Sequence, residues 1–413
     1  MKRRKQRSSR NSSSRRDAVV VVALTLFVLA GLSAAQAQTI TVLHNFSGQA
    51  DGSTPAAGVT LDRAGNLYGT TDGNITGSPS TVYKMSRAGS AWLLNNLYTF
   101  NHPNDPTDVQ APVVFGPDGV LYGAAYEGAQ FNLGAVFSLR PPATVCKSVS
   151  CPWTLTVLHS FDGLDGTHPY LGSLVFDAAG NIYGTTFAGG THSHGTVFML
   201  TRSTGWTESV LYNFSGKDDG GSPESGVAFD SAGNLYGTTN RGGTDGYGAV
   251  YELSPSGSGW TETTLYSFSG GNDGAYPIGS VAIDAQGNLY GTASQAGTGA
   301  GTAWELSPSN GGWSFSILHS FAGQTYPGPS ATPTLDAAGN VYGTSAYTGD
   351  RNGEVFQLTP SSGGWTYTSF AFDFSNGYAP FSSVALDANG NLYGTTSSGG
   401  TGCGCGVVWT ITP

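Results

Sequence analysis

Four acidic side chains recur beside glycine and proline in one kind of loop: Asp165, Asp219, Glu224 and Asp273. Carboxylates brought together can act as the acid and base of a glycosidase-type hydrolase, or can bind a cation, with calcium the ion an exported acidic protein would meet. Tyr170, Tyr276, Tyr326 and Tyr378 stand beside the prolines of the same loops. Their rings would suit stacking on a sugar or a peptide. His168, His192 and His194 lie close together, and His192-Ser193-His194 has the look of a chelating pair. Each feature also has a plainer reading, which the pattern favours. Asp-Gly followed by Pro is ordinary turn chemistry, in which the carboxylate accepts from nearby backbone amides. A calcium ion takes about six to eight oxygens, and one Asp per loop supplies too few alone. The tyrosines and histidines have packing roles open to them. No G-x-S-x-G elbow, H-E-x-x-H, glycine-rich phosphate loop or His–Cys pairing occurs in a supporting context, so no catalytic residue is assigned.

The elements that must position these loops follow from a repeat. The phrase Gly-Asn-Leu-Tyr-Gly-Thr, as at Gly65 to Thr70, returns with its tyrosine at Tyr68, Tyr122, Tyr183, Tyr236, Tyr290, Tyr342 and Tyr393. The intervals are 54, 61, 53, 54, 52 and 51 residues. A period of this size with several short strands per unit marks a β-propeller. In the fourth unit Gly226 to Asp230 reads as strand a, Leu235 to Thr239 as strand b, Ala249 to Leu253 as strand c and Trp260 to Phe268 as strand d, with Asp230 to Asn234 and Pro255 to Gly259 as turns. Trp92, Trp153, Trp206, Trp260, Trp313 and Trp365 begin strand d, while Trp304 and Trp409 hold the strand c aromatic position. Such rings fill the wedges between neighbouring sheets, so their abundance is no sign of sugar binding.

The ends of the chain fix the count. Thr39 to Phe46 matches strand d with no a, b or c before it, and Val407 to Pro413 matches strand c with no d after it. The N-terminal strand therefore completes the last blade. The expectation is an all-β, seven-bladed propeller of four-stranded antiparallel blades over 38–413, and closure removes free sheet edges. Strand direction then places all d–a and b–c loops on one face. Those loops vary more than the uniform a–b turns, so that face is the candidate functional face.

Residues 1–37 read as a signal peptide: a basic opening, an apolar run from Ala18 to Leu32, and the small-x-small site Ala35-Gln36-Ala37. The general secretory route fits better than the twin-arginine route that Ser14-Arg15-Arg16 would allow. The expected location is secreted, periplasmic or cell-surface, with no integral membrane span after cleavage. Without this segment nine basic and 26 acidic residues remain, a formal charge of −17. So acidic a chain argues against nucleic acid as a partner. Cys146 and Cys151, in an insertion from Arg140 to Pro152, are expected to form a small-loop disulfide. Cys403-Gly404-Cys405 reads as a labile disulfide or a free pair.

Taken together, Phe-x-Gly-x-x-Asp-Gly-x-x-Pro, Asp-x-x-Gly-Asn-Leu-Tyr-Gly-Thr-Thr, Gly-Gly-Thr and Gly-x-Val-Phe-x-Leu resemble the GloVer tandem repeat of exported bacterial proteins. Phe214 to Leu253 matches almost throughout, while Gly116-Pro117-Asp118-Gly119 and Thr325 to Pro333 depart from it. The resemblance implies an exported, often surface-associated protein. The leading expectation is a monomeric, non-catalytic binding propeller that takes a glycan or protein partner on the d–a/b–c face. The alternatives are a hydrolase or lyase acting on polysaccharide or a lactone through the loop carboxylates, and a structural envelope or matrix protein.

Overall fold

The computed structural model describes residues 39–73, 77–142, 153–257, 259–295, 299–323, 327–347 and 352–413. The segment 1–37, Cys146, Cys151 and Tyr326 lie outside the described residues.

Among these residues seven four-stranded antiparallel sheets form a propeller. In the fourth blade the strands are Ala228–Phe229, Leu235–Thr239, Ala249–Ser256 and Gly259–Ser267. Strand a is shorter than its five-residue pattern: only Ala228 and Phe229 pair with strand b. The c–d hairpin runs further than its turn residues suggest, with Pro255 paired to Trp260. Strand b ends at Leu235, opposite Leu253, so beyond that point strand c has a neighbour on one side only. A proline there sacrifices no bond to a second strand. The last blade consists of Ala385–Leu386, Leu392–Thr396 and Val407–Ile411, closed by Ile40–Asn45 lying antiparallel to Val407–Ile411.

The Asn, Tyr, second Gly and Thr of the repeated phrase each have a physical task. The a–b turn Asp accepts from the repeat Tyr hydroxyl, as in Tyr236 to Asp230 at 3.2 Å, and from the Asn side chain two residues earlier, Asn234 to Asp230 at 2.8 Å. The blade that lacks this Asn uses Arg202 of the next blade instead, which donates to Asp118 at 3.0 Å. The Gly after Tyr sits opposite the strand c aromatic, as Gly237 does opposite Tyr251, and leaves room for that ring. The following Thr reaches across to the next blade: the Thr238 hydroxyl donates to the Gly279 carbonyl at 2.8 Å, and the Thr395 hydroxyl to the Ala57 carbonyl at 2.7 Å across the closure.

The core is a set of wedges between blades rather than one central mass. At each wedge the Phe that follows strand d meets the strand c aromatic of the next blade edge-on or tilted, from Phe214–Tyr251 at 5.0 Å to Phe268–Trp304 at 5.8 Å. Each such pair contributes roughly 0.5–1.5 kcal/mol beyond the area it buries. The strand d tryptophans pack on the repeat Tyr of the preceding blade, as Trp260 does on Tyr183 at 6.4 Å. Because the wedges satisfy the apolar residues, the axis of the ring is left as a cavity.

Candidate functional site

Each d–a loop divides into two halves with different destinations. The first half folds back on itself. Asp219 accepts from the Tyr212 hydroxyl at 3.0 Å, the Ser215 amide at 2.8 Å and the Ser215 hydroxyl. Asp273 is held in the same way by Tyr266 and Ser269. Asp165 receives the Asp162 amide at 2.9 Å and lies 2.7 Å from His159 Nε2. His44 and His159 therefore do for Asp51 and Asp165 what Tyr98, Tyr212 and Tyr266 do for their own loop acids. Burial by itself would raise the Asp219 and Asp273 carboxyls, but these hydrogen bonds hold them below their ordinary range.

The second half turns inward. One residue of the d–a loop has positive φ in six blades, before the loop proline at Thr54, His168, Ser222, Tyr276 and Ala379 and before Val109 at Asp108, all between 54° and 56°. This backbone is costly for a side chain that is not glycine. It is held because the same residue bridges two blades. The His168 amide donates to Leu133 O at 2.8 Å, and His168 O accepts from the Phe187 amide at 3.1 Å. Tyr276 stands likewise between Tyr247 O and the Ser294 amide.

The next residue but one is then delivered to the channel mouth. In chain order these positions carry Ala56, Gln110, Tyr170, Glu224, Ile278, Ser330 and Phe381, all of which line the axial cavity or its mouth. Seven copies of a scaffold that repeats nearly everything else hold seven different residue types here. This column of the repeat was the available signal for the site, because a scaffold position would repeat its residue.

The cavity along the axis is about 600 Å³ and is walled by small, apolar and hydroxyl side chains and the amide of Gln110, with no charged residue among the described ones. At the d–a/b–c face it meets a mouth pocket of about 320 Å³ lined by Tyr126, Tyr170, Phe187, Glu224, Ile278 and Phe381. The two share Leu171, Ile278, Ser330 and Phe381. Tyr126 and Tyr170 stand 5.2 Å apart with planes inclined by 58°, and Phe187 lies 6.2 Å from Tyr170. Burial pushes the Glu224 carboxyl up to about 7, against the pull of Arg241. Tyr170 is pushed up to about 12 by burial and then by Glu224, Tyr126, Asp108 and Asp72.

The structure thus brings Tyr170 and Glu224 together and leaves Asp165, Asp219 and Asp273 in their own turns. Tyr276 packs on Tyr247 at 5.6 Å, and Tyr378 on Tyr347 at 5.7 Å, both outside the mouth lining. His168 Nδ1 lies 2.9 Å from the Thr167 hydroxyl, with its ring against Tyr126. His192 and His194 are exposed, the first beside Thr191 and the second over Gly216. Among the described residues no three His, Cys, Asp or Glu side chains gather as a metal site requires. Cys403 and Cys405 are joined as a disulfide.

A family model described as the Gloeobacter/Verrucomicrobia repeat matches residues 144–331 and 264–413. The chain belongs to that family. No curated protein sequence matches it. Among solved structures it is similar to PorZ, an essential bacterial surface component of the type-IX secretion system of Porphyromonas gingivalis. Identity is 14%, over 90% of this chain and 48% of PorZ, with a TM-score of 0.52. A candidate 6-phosphogluconolactonase from Bacteroides uniformis is 15% identical over 76% of this chain and 83% of its own, with a TM-score of 0.48. A candidate gluconolactonase is 12% identical over 82% and 95%, with a TM-score of 0.42. The likeness to PorZ is one of fold. Among the described residues no helix is long and apolar enough to cross a membrane.

The site's electrostatics carry a stability consequence. Burial raises Glu208 and Glu224 to about 7 and Glu262 to about 6, from an ordinary value of 4.5. The folded protein keeps protons there that the unfolded chain releases, so stability falls as pH climbs from 4.5 towards 7. The lowered carboxyls, Asp219, Asp230 and Asp273 among them, act below 3.8: the unfolded chain binds protons first, and stability falls as pH drops. His319, lowered by burial, opposes the three glutamates but is a single group. The melting temperature is therefore expected to peak at about pH 4–5. A thermal scan series from pH 3 to 8 that rose steadily towards 8 would contradict this assignment.

Proposed function

We propose that this chain is an exported, non-catalytic binding propeller that takes the end of an extracellular glycan into the channel mouth on its d–a/b–c face. The observation that carries the reading is the variable ring: seven unlike residues on an otherwise repeated scaffold, opening onto an uncharged cavity. Binding surfaces diversify where a rigid frame holds them, and an aromatic-lined concavity with one convergent polar group is the usual form of a small-ligand site. Export rests on the basic and apolar opening before Ala35-Gln36-Ala37, and the surface location of PorZ is in keeping with it.

The test uses the mature protein on a glycan array, followed by titration of any hit. Tyr170→Ala and Phe381→Ala are expected to weaken binding by about tenfold or more, the loss that follows from removing one well-packed ring. Absence of any glycan hit, or a hit indifferent to both changes, sinks the proposal. Capture of a defined protein partner through the same residues would replace glycan with protein.

One observation favours a second reading. A carboxyl held near 7 suits general acid catalysis, and Glu224 is so placed. Turnover of a polysaccharide or lactone by the wild type, abolished in Glu224→Gln, would make the chain a hydrolase or lyase.

A further inference from the structure

The mouth pocket has a chemical bias that narrows the ligand class, and the narrowing rests on the reading just proposed. Its aromatic residues do not form a flat platform. Tyr126 and Tyr170 meet at 58°, and Phe187 is inclined by 61° to Tyr170, so the three rings make a corner. A sugar ring stacks best on one exposed face, whereas a corner presents several negative ring faces to a compact charge.

The polar group beside them has no partner of its own. Among the described residues the Glu224 carboxylate makes no hydrogen bond and no ion pair, although it is largely enclosed by the pocket. An enclosed carboxylate without a partner is unfavourable, and a ligand that supplied a positive charge would relieve it. The surroundings add to this. Asp108, Glu127 and Glu224 act on Tyr126, and Glu224, Asp108 and Asp72 act on Tyr170, so negative charge surrounds both rings. Among the described residues Arg241 is the one cation acting on Glu224; it is exposed and forms no ion pair with it. Among the described residues no basic side chain lines the mouth.

We infer that the mouth recognises an ammonium group, and that its natural ligand is the unacetylated amino sugar at the end of a glycan. The ring corner of Tyr126, Tyr170 and Phe187 receives the cation, Glu224 neutralises it, and the uncharged hydroxyl-bearing cavity beyond accepts the sugar body.

The decisive comparison is calorimetry at pH 7 with three probes: the glucosamine trimer, the N-acetylglucosamine trimer, and choline as an ammonium without a sugar. The glucosamine trimer should bind at least about tenfold more tightly than its acetylated counterpart. Choline should compete with it. Glu224→Gln, which preserves shape, should remove the preference while leaving the acetylated trimer unaffected. Tyr170→Phe should keep it, since the ring face remains. Equal or tighter binding of the acetylated trimer, or a preference that survives Glu224→Gln, overturns the ammonium assignment and leaves the glycan reading standing. Binding of choline but of neither sugar does the reverse. Binding of none of the three overturns both. Cooperative melting of the two variants at temperatures no lower than the wild type's confirms that the ring of blades is intact.

Discussion

Removing residues 39–46 is expected to convert the propeller from a closed, cooperatively melting ring into an aggregating chain. Ile40–Asn45 is the fourth strand of the last blade, paired to Val407–Ile411 from the far end of the chain. Without it that strand becomes an open edge, and it is the wrong kind of edge. All five of its residues are buried, including Trp409. Natural edges are short, charged or covered, and this one would be none of these. Phe46 would leave with the strand; it is 1% exposed and packs on Tyr83 of the first blade at 5.3 Å. Burying one such side chain stabilises by roughly 1.5–3 kcal/mol, and whole domains have only about 5–15 kcal/mol to lose. Size-exclusion chromatography and near-UV circular dichroism should show loss of the wild-type elution peak and of fixed aromatic packing. Adding a synthetic peptide of residues 39–47 should restore part of both. A truncated protein that eluted as the wild type does and melted cooperatively would show that the closure is dispensable.

That closure was legible because it depends on counting strands at the two ends, and short strands count reliably when a phrase marks each blade. Strand b was equally plain: Leu235 to Thr239 is a buried β-branched and aromatic run, and it forms as read. Strand a was read too long: only Ala228 and Phe229 pair, although strand b runs on to Thr239, and Gly226 and Val227 line the axial cavity without ladder bonds. The candidate site was legible in part for a related reason. Tyr170 and Glu224 were visible as chemistry-bearing residues in d–a loops, whereas Tyr126, Phe187, Ile278 and Phe381 had no motif to draw attention to them. What the copies share reports the scaffold; the site lies where they differ. The shared acids illustrate the point. Asp165, Asp219 and Asp273 recur because each closes its own turn with a Tyr, His or Ser partner. No single loop could reveal that the residue following the proline, and not the aspartate, reaches the mouth. That depends on a backbone with positive φ pinned between two blades, a tertiary effect.

The same logic makes the glycine of the repeated phrase the most sensitive small residue in the chain. Gly291→Ala is expected to destabilise the protein by about 3 kcal/mol or more, at the upper end of what overpacking a core costs. A methyl group at this position would lie 2.1 Å from Trp304 Cζ2 and 2.6 Å from Cη2. Neither partner can yield easily. Gly291 and Trp304 face each other across the centre of a blade, and the Trp304 ring is fully buried against Phe268 and Phe315. The penalty is steric and not conformational, because Gly291 is absent from the residues with positive φ. Gly259→Ala is the matched control: it too is a strand glycine without positive φ, but a methyl there meets nothing within 4 Å. It should be neutral or slightly stabilising, as the unfolded chain loses freedom. Denaturant unfolding followed by tryptophan fluorescence would measure both. A double variant with Trp304→Val should be less destabilised than the two single changes added together, since shortening the ring removes the clash while keeping its own cavity cost. If Gly291→Ala proved as stable as Gly259→Ala, the cross-strand ring would not be the reason for the glycine, and the seven-fold phrase would need another explanation.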